Sequence, residues 1–175
     1  MAHAKNDRLI DDGKLLPDPQ TSCGGYEIIH LVGHSRGAAV NARIDLGCSL
    51  GEISRLNAWL ADRFAETGLP EKPAGNIKLC LNEAGTNTIS YGFADRDGAE
   101  ISVELDIGDD KAVATLIDNG VAFDPLTVPE AAKITDLETA QIGGFGVKLM
   151  RELSSSIDYE RAGGRNRLTM RFDLG

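Results

Sequence analysis

Residues 100–107 alternate without a break: Ile101, Val103, Leu105 and Ile107 fall on one side of an extended chain, and Glu100, Ser102, Glu104 and Asp106 on the other. Successive strand side chains point to opposite faces, so this pattern calls for an antiparallel sheet with one apolar face covered and one polar face wetted. The cover is written just upstream. Ser49 and Glu52 form an S-x-x-E capping box ahead of Ile53, Leu56, Leu60 and Phe64, which recur at helical spacing until Gly68. Beyond Leu69-Pro70-Glu71-Lys72-Pro73, a second helix is expected from about Ala74 to Gly92, with Ile77, Cys80, Leu81, Ala84 and Thr88 as its buried stripe and Glu83 and Asn87 flanking it.

The remaining signals complete a sheet. A short strand is expected at Val40 to Leu46, and Ala112 to Ile117 follow the alternating strand through Gly108-Asp109-Asp110. Ser156 to Tyr159 and Arg167 to Phe172 form a closing hairpin around Gly163-Gly164 that buries Leu168, Met170 and Phe172. The order strand, helix, helix, two strands, loop, helix, two strands fits an α+β, two-layer sandwich with helices on one face of a mixed, mostly antiparallel sheet. With 175 residues, 42% of them hydrophobic, the chain suffices for one well-packed domain at 39–175. Residues 1–38 read as an N-terminal extension mostly outside that core, containing the strand-like stretch Tyr26 to Val32 and able to cover a sheet edge.

A formal charge of −9 argues against binding a phosphate backbone, which needs clustered Lys and Arg. No apolar run is long enough to span a bilayer, and the polar start reads as an unexported, cytoplasmic protein. Cys23, Cys48 and Cys80, odd in number and widely spaced, suit a reducing compartment better than a disulfide framework.

Three segments carry chemistry. Glu83 and Asn87, spaced i, i+4, put a carboxylate and a carboxamide on adjacent turns of one helix, a pair suited to orienting a nucleophile and holding an oxygen-loving Mg2+. Asp118-Asn119-Gly120 ends an apolar strand. Asn-Gly is also a hairpin-turn signal, but Val121-Ala122-Phe123 runs at once into Asp124-Pro125 and leaves no return strand, so a loop exposing Asp118 is the better account. Gly143-Gly144-Phe145-Gly146 opens a helical stretch from Val147 to Leu153, whose free N–H groups and dipole suit phosphate oxygens.

Taken together, these segments resemble the N, G1 and G2 boxes of the GHKL, or Bergerat-fold, ATPases. Within that superfamily the chain is most similar to bacterial anti-sigma-factor serine/threonine kinases, through Phe123-Asp124-Pro125, the short stretch before Gly143 and the tail from Leu153 to Phe172. The resemblance covers residues from about 40 to 175. It implies ATP and Mg2+ as ligands, Glu83 as general base toward a protein serine, Asn87 as metal ligand and Asp118 as acceptor for the adenine amino group. It further implies nucleotide contacts at Gly120, Phe123, Gly143, Gly144, Phe145, Gly146, Val147 and Lys148, with Leu126 to Ile142 as a short lid. Asn166 and Thr169 both stand where a last-strand residue touches adenine. The implied partners are an antagonist (anti-anti-sigma) protein, a sigma factor and a second copy of the chain. Tyr91 stands where many relatives carry a basic or His residue four after the asparagine, and Gly85 sits mid-helix at a cost of about 1 kcal/mol against Ala.

Other readings are weaker. Gly33-His34-Ser35-Arg36-Gly37 matches a nucleophile elbow, yet the histidines are His3, His30 and His34, so none follows Ser35 as that fold's triad order requires. Cys23, His30 and His34 lack paired spacing and a fourth ligand for zinc. Two alternatives to a kinase stand: a non-catalytic, nucleotide-gated module that sequesters a regulator, and a detached histidine-kinase catalytic domain.

Overall fold

The computed structural model describes residues 26–32, 39–94, 97–127 and 145–175. Among these residues six strands form one sheet in the order β1-β2-β3-β4-β6-β5: β1 Tyr26–Val32, β2 Ala39–Leu46, β3 Ile101–Ile107, β4 Lys111–Asp118, β5 Ser156–Ala162 and β6 Arg165–Asp173. Every described pairing is antiparallel, so the sheet expected to be mixed has no parallel pair among the described residues. The stretch assigned to the N-terminal extension contributes β1, which pairs with β2 and covers that edge of the sheet.

Helices α1 (Glu52–Thr67), α2 (Glu71–Tyr91) and α3 (Phe145–Leu153) supply the second layer. Between them and the sheet lies one core. Leu56, Trp59 and Leu60 of α1, Ile77, Leu81 and Ile89 of α2, and Val147 and Met150 of α3 meet Ile44, Val103, Leu105, Leu116 and Met170 of the sheet. Ile89 takes the place expected for Thr88, which is half-buried. At Gly85 the α2 backbone lies against Ile53 of α1, where even a Cβ would stand 3.1 Å from Ile53 Cδ1, so the missing side chain sets how closely the helices approach.

The polar sheet face is laced with ion pairs. Glu104 accepts from Arg43 at 3.1 Å and from Arg167 at 3.3 Å. Ser102 and Thr115, on this wetted side by alternation, are nonetheless buried among these ladders. No helix among the described residues is long and apolar enough to cross a membrane.

Both helix starts differ from expectation. Gly51, not Ser49, caps α1. Glu52 reaches back instead, accepting from the Gly47 N–H at 3.1 Å and from Arg55 Nε at 2.9 Å. α2 begins at Glu71, because Pro73 falls in the first turn, where a missing N–H has no helical partner to lose.

The Gly47 N–H, aided by Arg55 and opposed by desolvation, holds the Glu52 carboxyl below its ordinary value of 4.5. A lowered folded-state pKa contributes stability that is present above the unfolded value and lost as pH falls through the folded one. Glu52→Gln should therefore cost on the order of 1 kcal/mol at pH 7. The difference from wild type should close below the folded pKa, which denaturant midpoints measured across pH would check.

Candidate functional site

Glu83 and Asn87 lie one turn apart on α2, both half-buried, beside the buried Ala84 and Gly85. The amino end of α3 closes on them. A Cβ on Gly146 would stand 2.6 Å from Glu83 Oε2 and 3.5 Å from Asn87 Nδ2, so only glycine lets that backbone approach. A carboxylate, a carboxamide and a helix amino terminus, with its free N–H groups and positive dipole end, thus share one spot. Burial, with the Glu83 carboxylate adding to it, pushes the Cys80 thiol up to about 12. Cys80 therefore stays protonated and serves packing.

The other end of α2 builds the second half. The Gly92 carbonyl accepts the Val121 N–H at 2.8 Å, and any side chain on Gly120 would collide with that carbonyl oxygen. Asp118 ends β4 beside it and is buried rather than exposed as expected, at 5% exposure. Its Oδ1 accepts the Gly120 N–H and Asn166 Nδ2, each at 2.8 Å. Its Oδ2 has no partner among the described residues.

Asn119 fixes the turn, accepting from the Glu100 N–H at 2.8 Å and donating to the Gly98 carbonyl at 2.9 Å. The chain runs on to a short 3-10 helix at Pro125–Thr127, not into a hairpin return. Phe123, in this loop, is 52% exposed. Arg151 of α3 holds the Leu126 carbonyl at 2.6 Å, joining this loop to the other half.

Of the two last-strand candidates, Asn166 is the one in register with Asp118, whereas Thr169 pairs with Thr115 on the polar sheet face. Val147 is buried in the core, and Lys148 is an exposed partner of Glu152 at 3.7 Å. Gly143, Gly144 and residues 128–142 lie outside the described residues, as do the Ser35 motif, Cys23 and His34; Phe145 opens α3. No group of three His, Cys, Asp or Glu that could hold a metal gathers among the described residues.

Tyr159 and Arg161, both hydrogen-bonded to Asn166, were not singled out from sequence. Counting outward from the Gly163-Gly164 turn, which pairs Ala162 with Arg165, would have put Arg161 opposite Asn166.

Residues 49–172 match the model of the histidine kinase-like ATPase domain. The serine/threonine-protein kinase BtrW of Bordetella bronchiseptica is 33% identical over 94 residues, 54% of this chain and 66% of that protein. The serine-protein kinase RsbW of Listeria monocytogenes is 30% identical over 118 residues, 62% of this chain and 69% of that protein. A solved structure of the RsbU and RsbW domains of a Mycobacterium tuberculosis protein has the same fold, with a TM-score of 0.55 at 19% identity, covering 77% of this chain and 32% of that one. The match spans the two helices, the strand that ends at Asp118, the glycine-opened helix and nearly all of the closing hairpin, and the chain belongs to the histidine kinase-like ATPase domain family.

Proposed function

We propose that this chain is an ATP-dependent serine kinase of the partner-switching, anti-sigma type. One observation carries the reading: a single helix, α2, supplies a half-buried carboxylate and carboxamide against the α3 amino terminus and ends against the glycine beside Asp118. A nucleotide laid along that helix has its base at Asp118 and Gly120 and its phosphates near Gly146. The resemblance of BtrW and RsbW, both named as serine kinases, supports the choice of reaction.

In this reading Asp118 Oδ2 accepts from the adenine amino group while Gly120 leaves room for the ring. The phosphates lie at the amino end of α3, with Gly143 and Gly144 as further contacts. Asn87 would hold Mg2+, which would supply charge neutralisation at the phosphate oxygens. Glu83 takes the proton from a serine hydroxyl of the antagonist as that oxygen bonds to the γ-phosphorus and the bond to ADP breaks. Catalysis is otherwise positioning and charge stabilisation. The partners are the antagonist, a sigma factor and a second copy of the chain, in the cytoplasm, with residues 1–38 as an extension to the ATPase domain at 39–175.

Calorimetric titration of the full chain with ATP, with and without Mg2+, tests the reading. Saturable, magnesium-aided binding is expected, followed by transfer of label from γ-labelled ATP to a serine of the antagonist. Absence of binding would sink it; binding without transfer would leave a nucleotide-gated binding module.

A further inference from the structure

We propose that Arg161, with Tyr159, is a positioning residue that sets the selectivity of the base pocket for a purine carrying an exocyclic amine; this rests on the nucleotide reading above. Asn166 is 6% exposed, and its amide is saturated. Nδ2 donates to Asp118 Oδ1 at 2.8 Å and to the Val121 carbonyl at 2.9 Å, while Oδ1 accepts from the Tyr159 hydroxyl at 2.8 Å and from Arg161 at 2.5 Å. That is two donors and two acceptors used, the full capacity of a carboxamide. The Asp118 carboxylate and the Val121 carbonyl only accept and so hold the nitrogen end of the amide, while the guanidinium, which only donates, holds the oxygen end; the Tyr159 hydroxyl can donate or accept and constrains it less.

The same Arg161 nitrogen also donates to the Gly120 carbonyl at 3.1 Å. One side chain therefore ties the β5–β6 hairpin both to the residue that pins Asp118 and to the glycine turn beside the base. With Oδ1 held by the Gly120 N–H and Asn166, the Asp118 carboxylate cannot swing, and Oδ2 is left as the acceptor. A fixed acceptor receives a 6-amino group and repels a 6-keto oxygen; a carboxylate free to rotate relaxes away from that repulsion. Arg161 thus acts on discrimination, without itself touching the base.

The test titrates the full-length wild type, Arg161→Met, Arg161→Lys and Tyr159→Phe with ATP and with ITP, which differs from ATP by a keto group in place of the 6-amino group, alongside thermal unfolding. Arg161→Met should weaken ATP about tenfold, the loss of roughly one charge-assisted hydrogen bond, and shift ITP little, so that the ATP-to-ITP ratio falls by about the same factor. Arg161→Lys, which keeps a donating cation, should recover part of the ratio, and Tyr159→Phe should lower it less. A merely structural Arg161 would lower the melting temperature and leave the ratio at the wild-type value in both Arg161 variants, which would overturn the proposal alone. A wild type that binds neither nucleotide would overturn the nucleotide reading and this proposal with it.

Discussion

Asp118→Asn should reduce ATP affinity by about a hundredfold or more while leaving the protein folded. The variant must keep an oxygen where Oδ1 now stands, because the Gly120 N–H and Asn166 Nδ2 both point there. Its NH2 group is then forced into the position of Oδ2, facing the adenine amino group donor to donor. A buried donor left unpaired costs about 1–3 kcal/mol on each side of such a contact, and each 1.4 kcal/mol is tenfold in affinity. The same NH2 can donate to a 6-keto oxygen, so the variant should prefer ITP over ATP, inverting the wild-type order. Calorimetry with both nucleotides checks this, and a variant that still bound ATP as tightly as wild type would remove Asp118 from the base pocket. Because the internal bonds survive the exchange, the thermal midpoint should stay close to wild type.

Glu83→Ala should separate binding from chemistry. Glu83 faces the α3 amino end near Gly146, away from the Asp118 pocket, so ATP affinity should change only a few-fold at most. Phosphotransfer to the antagonist serine should fall by about 10²–10⁴, the usual contribution of a positioned general base. Glu83→Gln fills the same space against Gly146 but cannot take a proton at neutral pH, so it should be as slow as Glu83→Ala if basicity is what matters. Single-turnover assays at saturating ATP measure this, and a wild-type rate in Glu83→Ala would sink the base assignment.

The elements and the layer arrangement were legible because periodicity reports burial directly: residues 101–107 alternate in sequence, and Ile101, Val103, Leu105 and Ile107 face the core. That Asp118-Asn119-Gly120 leads into a loop and not a hairpin was legible because the apolar stretch after it stops at Asp124-Pro125. Capping was misread at Ser49 because two acceptors compete for the first turn, and tertiary geometry let Glu52 bond the incoming strand at Gly47. The burial of Asp118, and which of Asn166 and Thr169 lies opposite it, depend on cross-strand register, which no local window contains. Arg161 was hidden for the same reason, and because an exposed arginine on an edge strand ordinarily does nothing but solvate. Lys148, a natural candidate for a phosphate contact, turns along its own helix to Glu152, a pairing fixed by rotamer rather than by sequence spacing alone.

The strand that carries Asn166 comes last among the described strands in the chain, yet it lies inside the sheet, between β4 and β5. A polypeptide released before residues 165–173 are made would have Glu83 and Asn87 on α2 and still lack Asn166, the side chain that holds Asp118 Oδ1. It would also present β4 as an unpaired edge, the surface on which sheets join wrongly. The hydrogen bonds that fix Asp118 are therefore completed only when the sheet itself closes, so the last-made strand sets both the order of that carboxylate and the protection of the β4 edge.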